Sequence, residues 1–154
     1  MCSIAGYTGR ELPGVLPSFC ESMHHRGPDD KGEFHDERVH LCMTRLAIVD
    51  PEFGSQPMQS SDGNIILIFN GELYNHIELR EELLALGHSF STTSDTEVFL
   101  NAYSEWGARS VHYMNGMFAV AIYNRARAQL LLIRDRIGEK PLYFYCATDS
   151  GNLF

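Results

Sequence analysis

Position 2 is a cysteine directly behind the initiator methionine. Removal of Met1 would leave a thiol and a primary α-amine on one residue. Such a residue carries its own base, because an α-amine titrates near ~8 and can take the proton that must leave before sulfur becomes nucleophilic. The plain alternative is a surface cysteine in an untrimmed chain. Arg45 stands in the apolar run Thr44-Arg45-Leu46-Ala47-Ile48-Val49-Asp50. A desolvated guanidinium needs a partner anion there, either a substrate carboxylate gripped bidentately or an internal Asp or Glu. Asn70-Gly71-Glu72 places a side-chain amide, a backbone N–H unobstructed by a Cβ, and a carboxylate side by side. Those are the parts of an oxyanion hole for acyl transfer through a thioester, and equally those of an Asn-Gly hairpin turn. In Ser94-Asp95-Thr96-Glu97 the serine can cap a helix by itself. Asp95 is then either a first-turn carboxylate favoured by the helix dipole or a ligand for a substrate ammonium.

Metal chemistry is not expected. Cys2, Cys20, Cys42 and Cys146 lack C-x-x-C spacing, the adjacent His24-His25 pair would point apart, and no carboxylate or cysteine recurs at ligand spacing. The same scatter argues against a secreted disulfide framework, so the last three cysteines read as ordinary buried thiols.

These residues need elements to hold them. Ser3 to Tyr7 is short, apolar and β-capable, a strand that begins beside Cys2. Val15 to His24 has apolar residues at helical intervals behind Pro13-Gly14, and Arg26 to Asp30 is a breaker cluster that reads as loop. Val39 to Val49 reads as strand, Pro51 to Asp62 as turn-rich, and Asn64 to Phe69 as a buried strand closed by a tight turn at Asn70-Gly71. From Ile77 to Leu86, the spacing of Ile77, Leu79, Leu83, Leu84 and Leu86 predicts an amphipathic helix stopped by Gly87. Ser94 to Glu97 forms a capping box for a second helix that reaches Trp106 and ends at Gly107. Gly116 to Tyr123 and Gln129 to Asp135 read as a hairpin joined by Asn124 to Ala128, with a further strand at Tyr143 to Ala147. This order lacks regular βαβ alternation, which predicts an α+β fold of antiparallel sheets covered by helices. Asp149-Ser150-Gly151 reads as a turn and Leu153-Phe154 as the start of a strand, the pattern expected of an N-terminal piece of a longer protein.

With 154 residues, 44% of them hydrophobic, the chain can build one domain with a real core. Its net charge of −8 and the lack of any Lys/Arg-rich run make nucleic acid a poor partner and favour a small polar substrate. Met1 to Tyr7 has no basic leader, and no run nears the ~18 apolar residues of a spanning helix. A cytoplasmic protein with no membrane association is the expectation, and a homodimer is open.

Several motifs together resemble those of class II glutamine amidotransferases. They are Met-Cys-Ser-Ile-Ala-Gly at Met1 to Gly6, His-Arg-Gly-Pro-Asp at His25 to Asp29, Arg-Leu-Ala-Ile-Val-Asp at Arg45 to Asp50, and Asn-Gly-Glu-Leu-Tyr-Asn-His at Asn70 to His76. Ser-Asp-Thr-Glu at Ser94 to Glu97, Gly-Met-Phe-Ala at Gly116 to Ala119, and Arg134 to Tyr143 are similar, more narrowly, to glutamine-hydrolysing asparagine synthetases. The resemblance implies an N-terminal-nucleophile hydrolase fold, a four-layer αββα sandwich with two antiparallel sheets. It implies that residues 1–154 form a glutaminase domain in which Cys2, after loss of Met1, attacks the side-chain amide of L-glutamine to give glutamate and ammonia. By motif position, Asn70 and Gly71 would stabilise the oxyanion. Arg45 would hold the substrate carboxylate with the Leu46, Ala47, Ile48 and Val49 backbone lining the pocket, while Glu72 and Asp95 would fix the ammonium. The Arg26 to Asp29 loop would brace the nucleophile's strand. No cofactor is implied within this domain; ATP and magnesium belong to a C-terminal synthetase domain of the family, which would use the ammonia, most simply to make asparagine from aspartate. Relatives that amidate sugar carboxylates in surface-polysaccharide synthesis, an inactive glutamine-binding module, and a hydrolase of another amide are the competing readings.

Overall fold

Val39–Arg45 alternates residues that are apolar or able to bury on both faces, and it forms the innermost strand of one sheet. The computed structural model describes residues 2–146. In chain order its elements are β1 (Ser3–Thr8), α1 (Val15–Met23), β2 (Asp30–His35), β3 (Val39–Arg45), β4 (Met58–Gln59), β5 (Ile65–Leu73), α2 (His76–Ala85), α3 (Asp95–Trp106), β6 (Gly116–Asn124) and β7 (Gln129–Arg134). Short 3-10 turns follow α1 at His24–Arg26 and α3 at Gly107–His112.

Two antiparallel sheets result, β1-β3-β2 and β4-β5-β6-β7. Strand alternation splits their side chains into three packed layers. Val39, Leu41 and Met43 of β3 meet Ile66 and Ile68 of β5 and Ala121 of β6 between the sheets. On the outer face of the first sheet, Tyr7 and Cys42 pack against Leu16 and Cys20 of α1. On the outer face of the second, Leu67, Phe69, Phe118 and Val120 pack under Leu79 and Leu83 of α2 and Val98, Phe99 and Ala102 of α3. The rings of Phe69, Phe99 and Phe118 contact one another there, the closest pair edge-on with centroids 5.3 Å apart. Helix, sheet, sheet and helices therefore stack in the expected four layers.

Several local expectations are corrected. The strand at Val39 ends at Arg45, not Val49, because the Arg45 side chain folds back onto the carbonyls of Val49, Asp50 and Pro51 and curls Leu46–Val49 into a loop. Asn70-Gly71 is not a turn: β5 runs through it to Leu73, with Asn70 opposite Ala119 and Gly71 opposite Phe118. Pairing with β6 outweighs the turn propensity, and a Cβ on Gly71 would collide with the Met117 carbonyl oxygen. β2 was not anticipated, since only Phe34 is strongly apolar in its run. In α2 only Leu79 and Leu83 are buried, while Ile77, Leu84 and Leu86 face outward. Tyr143–Tyr145 form no strand and their rings lie exposed, with a single β-bridge residue following at Cys146. Ala147, the Asp149 to Gly151 turn and Leu153-Phe154 lie outside the described residues.

The capping box at α3 closes on one side only. Ser94 Oγ accepts from the Glu97 N–H at 3.2 Å, but the Glu97 carboxylate reaches back past Ser94 to the N–H and hydroxyl groups of Ser91 and Thr92 at 2.7–2.9 Å. Burial by itself would raise the Glu97 carboxyl; those donors outweigh it and hold the group below its ordinary range. Its stabilising contribution is thus present above the unfolded-state pKa of ~4.3 and lost as pH falls through the lower folded value. Glu97→Gln is expected to lower the unfolding free energy by about 1–3 kcal/mol near neutral pH. The gap from wild type should narrow on acidification, as read by urea unfolding at several pH values.

Candidate active site

Cys2 enters the site because β1 pairs with β3 in a register that sets Ser3 opposite Thr44. This brings the half-buried thiol to the end of β3, where Sγ donates to the Leu46 carbonyl at 3.6 Å. A pocket of about 60 Å³ opens beside it. Its wall includes Cys2, Arg45, Asn70, Gly71, Glu72 and Asp95, together with Leu46, Ile48 and Val49.

The far wall is the edge of β5. Backbone N–H groups of alternate residues in a strand face the same edge. Asn70 pairs with Ala119, whereas the N–H and carbonyl of Phe118, opposite Gly71, are engaged by Asp135 on the β7 side. The N–H groups of Phe69, Gly71 and Leu73 therefore face away from β6. Phe69 donates to Gln56 Oε1 at 2.6 Å and Leu73 to Asp95 Oδ2 at 3.0 Å. Between these two filled positions, the Gly71 N–H faces the pocket with no partner among the described residues. Asn70 lies on the Ile66 and Ile68 side of the strand, 7% exposed, and its amide also has no partner among the described residues. A second, larger cavity of about 380 Å³ begins on the other side of Asn70, with Ile4, Ile68, Ala121 and Leu132 in its wall.

Charge is distributed around the same space. Arg45 is 4% exposed and is satisfied by three backbone carbonyls, from Pro51 at 3.1 Å, Val49 at 3.0 Å and Asp50 at 2.7 Å. Of the two partners open to it, a substrate carboxylate or an internal Asp or Glu, no internal acid forms an ion pair with it among the described residues, and loop carbonyls take that place. This leaves the Nε–H and one Nη1–H of the guanidinium without a partner among the described residues. Gly54 makes room for it: a Cβ there would lie 2.5 Å from Nη2. Asp95 opens α3 behind the Ser94 cap, 5% exposed, with one oxygen on the Leu73 N–H. Burial pushes its carboxyl above the ordinary range despite that hydrogen bond, and Glu72 adds to the push. An ammonium placed between Glu72 and Asp95 would relieve the penalty.

The structure brings together Cys2, Arg45, Leu46, Ile48, Val49, Asn70, Gly71, Glu72 and Asp95, which are spread over much of the sequence. Ala47 is the exception. Its N–H donates to Asp29 Oδ2 at 2.9 Å, which turns it out of the wall. The Arg26 to Asp29 loop braces β3: Asp29 N–H donates to the Arg45 carbonyl at 3.0 Å, and Pro28 bridges to Arg45. Gln56, Thr96, Met117 and Lys140 also line the pocket without having been anticipated. Gln56 lies in a segment that reads only as turn-rich. Lys140 lies within the Arg134 to Tyr143 motif, but nothing in its spacing marks a buried ammonium; it is 6% exposed and gives the pocket a second cation. His24 and His25 are exposed on the 3-10 turn, and among the described residues no three His, Cys, Asp or Glu side chains converge as a metal site would require.

The chain matches the model of a family described as glutamine amidotransferase domain over residues 1–154. It is 48% identical to asparagine synthetase [glutamine-hydrolyzing] 1 of Bacillus subtilis (strain 168), over 82% of this chain and 20% of that protein. Identity is 40% to asparagine synthetase [glutamine-hydrolyzing] 3 of the same organism, over 100% of this chain and 26% of the relative. A probable asparagine synthetase of Dictyostelium discoideum is 44% identical over 89% of this chain and 25% of its own length. The chain thus spans about a quarter or less of these relatives. Among solved structures, glutamine phosphoribosylpyrophosphate amidotransferase from B. subtilis, complexed with ADP and GMP, superposes with a TM-score of 0.77 at 19% identity. That match covers 99% of this chain and 41% of the other. An allosteric regulatory enzyme of purine biosynthesis gives 0.79 at 20% identity over 99% of this chain and 41% of the other. At such identities the likeness is one of fold, which agrees with the four-layer sandwich described above.

The raised Asp95 carboxyl has a stability consequence of opposite sign to that of Glu97. Its ionised form opposes folding, so the penalty is relieved as pH falls through the folded pKa toward the unfolded value of ~3.9. Asp95→Asn, which keeps an oxygen for the Leu73 N–H, is expected to unfold at the same or higher urea concentration than wild type at neutral pH. The advantage should shrink in acid, as measured by urea titrations across that range.

Proposed function

We propose, for a chain that belongs to the glutamine amidotransferase domain family, that it hydrolyses L-glutamine to glutamate and ammonia with Cys2 as nucleophile once Met1 has been removed. The observation that carries this reading is the Gly71 N–H, without a partner among the described residues on the edge of β5 and facing the pocket that also holds the Cys2 thiol. An acyl-transfer site needs a donor fixed in advance where the tetrahedral oxygen will form.

The steps follow from the chemistry of the groups. The Cys2 α-amine takes the thiol proton, sulfur bonds to the amide carbon of glutamine, and the carbonyl electrons move onto oxygen, which the Gly71 N–H and the Asn70 amide stabilise. The oxyanion collapses, the C–N bond breaks, and the ammonium form of Cys2 returns the proton to the leaving nitrogen as ammonia departs. Water, deprotonated by the same amine, then attacks the thioester, and glutamate leaves as the thiol is restored. The two remaining Arg45 donors suit the substrate carboxylate, and Glu72 with Asp95 suit its ammonium. With Lys140 and Arg45 against Glu72 and Asp95, the pocket carries two charges of each sign and matches a zwitterion of no net charge. The apolar cavity beyond Asn70 suits the exit of neutral ammonia.

The same reading gives the ammonia to an ATP-dependent synthetase domain of the kind named in the relatives, with aspartate as the acceptor, in the cytoplasm. ATP and magnesium belong to that domain. The residues of this chain provide neither a glycine-rich lysine loop nor, among those described, converging ligands, so no step runs through either group.

With Met1 removed, as verified by intact mass, wild type should release glutamate, and Cys2→Ala should release none above background. Asn70→Ala should lose about 10²- to 10³-fold in kcat, the usual loss for one oxyanion donor. Extra residues fused ahead of Cys2 should abolish turnover by converting the amine to an amide. Equal glutamate release by wild type and Cys2→Ala would overturn the reading.

A further inference from the structure

The loop that Arg45 organises needs a second anchor, because carbonyls on one side fix its curl but not its distance from α3. Asp50 supplies one while standing outside the pocket wall. Its backbone takes φ 47°, a left-handed conformation uncommon for a residue with a Cβ though tolerated by Asp. Its carbonyl is fully occupied, accepting from Arg45 Nη2 at 2.7 Å and from the Gly54 N–H at 3.0 Å. The side chain then divides its two oxygens. Oδ1 accepts from the Phe53 N–H at 3.1 Å and closes the turn locally. Oδ2 reaches across 43 positions of sequence to accept from both the N–H of Thr93 at 2.7 Å and its hydroxyl at 2.9 Å. Thr93 precedes the Ser94 cap, and the next residue is Asp95.

We propose that Asp50 is a positioning residue for glutamine: its carboxylate latches the Arg45 loop to Thr93, the residue just ahead of the α3 cap, and so fixes the spacing between the cation and Asp95. The inference rests on the glutaminase reading. A zwitterion with carboxylate and ammonium on one carbon is recognised only if the groups that bind each end are held at a set separation. Arg45 reaches that separation through the loop and Asp95 through the helix; Gln56 Nε2 donates to Thr96 Oγ1 at 3.2 Å further along, and Asp50 is the charged link nearest Arg45. The Thr93 N–H holds the Asp50 carboxyl below its ordinary range, so the acceptor is ionised at neutral pH. Since the latch touches neither sulfur nor the oxyanion position, its loss falls on substrate binding rather than on bond breaking.

The test compares wild type, Asp50→Ala, Asp50→Asn and Thr93→Val, each with Met1 removed. The readouts are steady-state glutamate release, thermal unfolding and hydrogen exchange at the Thr93 amide. Asp50→Ala should raise KM for glutamine about tenfold, the weight of one charge-assisted hydrogen bond, with kcat within about threefold of wild type and little change in melting. Thr93→Val, which keeps the N–H and removes only the hydroxyl, should raise KM less and add nothing in the Asp50→Ala background. Asp50→Asn, isosteric and still an acceptor, should fall between wild type and Asp50→Ala, and it decides the matter if the alanine variant does not fold. An unchanged KM in Asp50→Asn and Asp50→Ala, or a fall in kcat as large as the rise in KM, overturns the proposal. Exchange separates its failure from that of the glutaminase reading. If wild type releases no glutamate, that reading and the positioning role fail together, whereas a Thr93 amide equally protected in wild type and Asp50→Ala overturns the latch whatever the activity.

Discussion

The proposed chemistry depends on one backbone donor, the Gly71 N–H, which has no partner among the described residues. β5 gives one edge entirely to β6 and leaves the other to side chains and a two-residue partner strand. Phe69 and Leu73 find their acceptors in Gln56 and Asp95, so the strand satisfies every position flanking Gly71 except Gly71 itself. Gly71 is half-buried, and a strand N–H left open at a cavity wall is a donor that a ligand or a developing charge can take up. The glycine is required for a different reason: a side chain there would run into β6. Tight sheet pairing and an open donor are thus secured at the same residue.

Everything else around the pocket can be understood as holding charges in place about that donor. Cys2 arrives through its strand's register with β3, and Arg45 through the end of β3 itself. Asp95 arrives through a helix whose cap leaves its carboxylate unneeded for capping. The arrangement stores electrostatic cost at Asp95, desolvated and near Glu72, while Glu97 two residues on is held below its usual range by four donors. One carboxylate stabilises the scaffold, and its neighbour carries a desolvation cost at the cavity wall that its Leu73 hydrogen bond does not offset. That separation of roles is what a binding site requires and what a purely structural ion network would not leave behind.

The layered fold was legible because its signals are strong and local: apolar runs for β5 and β6, a capping box for α3, and an order of elements that excludes a parallel sheet. The family resemblance was legible because its motifs sit at the chain's functional corners. What sequence could not supply were features decided by distant pairing. Asn70-Gly71 carries the letters of a turn, yet nine residues of pairing with β6 hold it extended. Arg45 in an apolar run signals a need for a partner anion, in a substrate or within the chain, but no periodicity encodes that three loop carbonyls also hold its side chain folded back on its own backbone. β2 carries little hydrophobic signal because its pairing with β3, rather than an apolar run of its own, keeps it in the sheet. Gln56 and Lys140 join the site only through chain folding, from segments whose local pattern is that of loops.

The most direct measurement is a structure of the protein, with Met1 removed, after reaction with a glutamine analogue that alkylates a thiol and retains a carbonyl. The account predicts one adduct, on Cys2, with the carbonyl oxygen within hydrogen-bonding distance of the Gly71 nitrogen and the Asn70 amide and the amino-acid end between Arg45 and Asp95. An adduct on Cys20, Cys42 or Cys146, or a Cys2 adduct whose oxygen points away from the β5 edge, would contradict it.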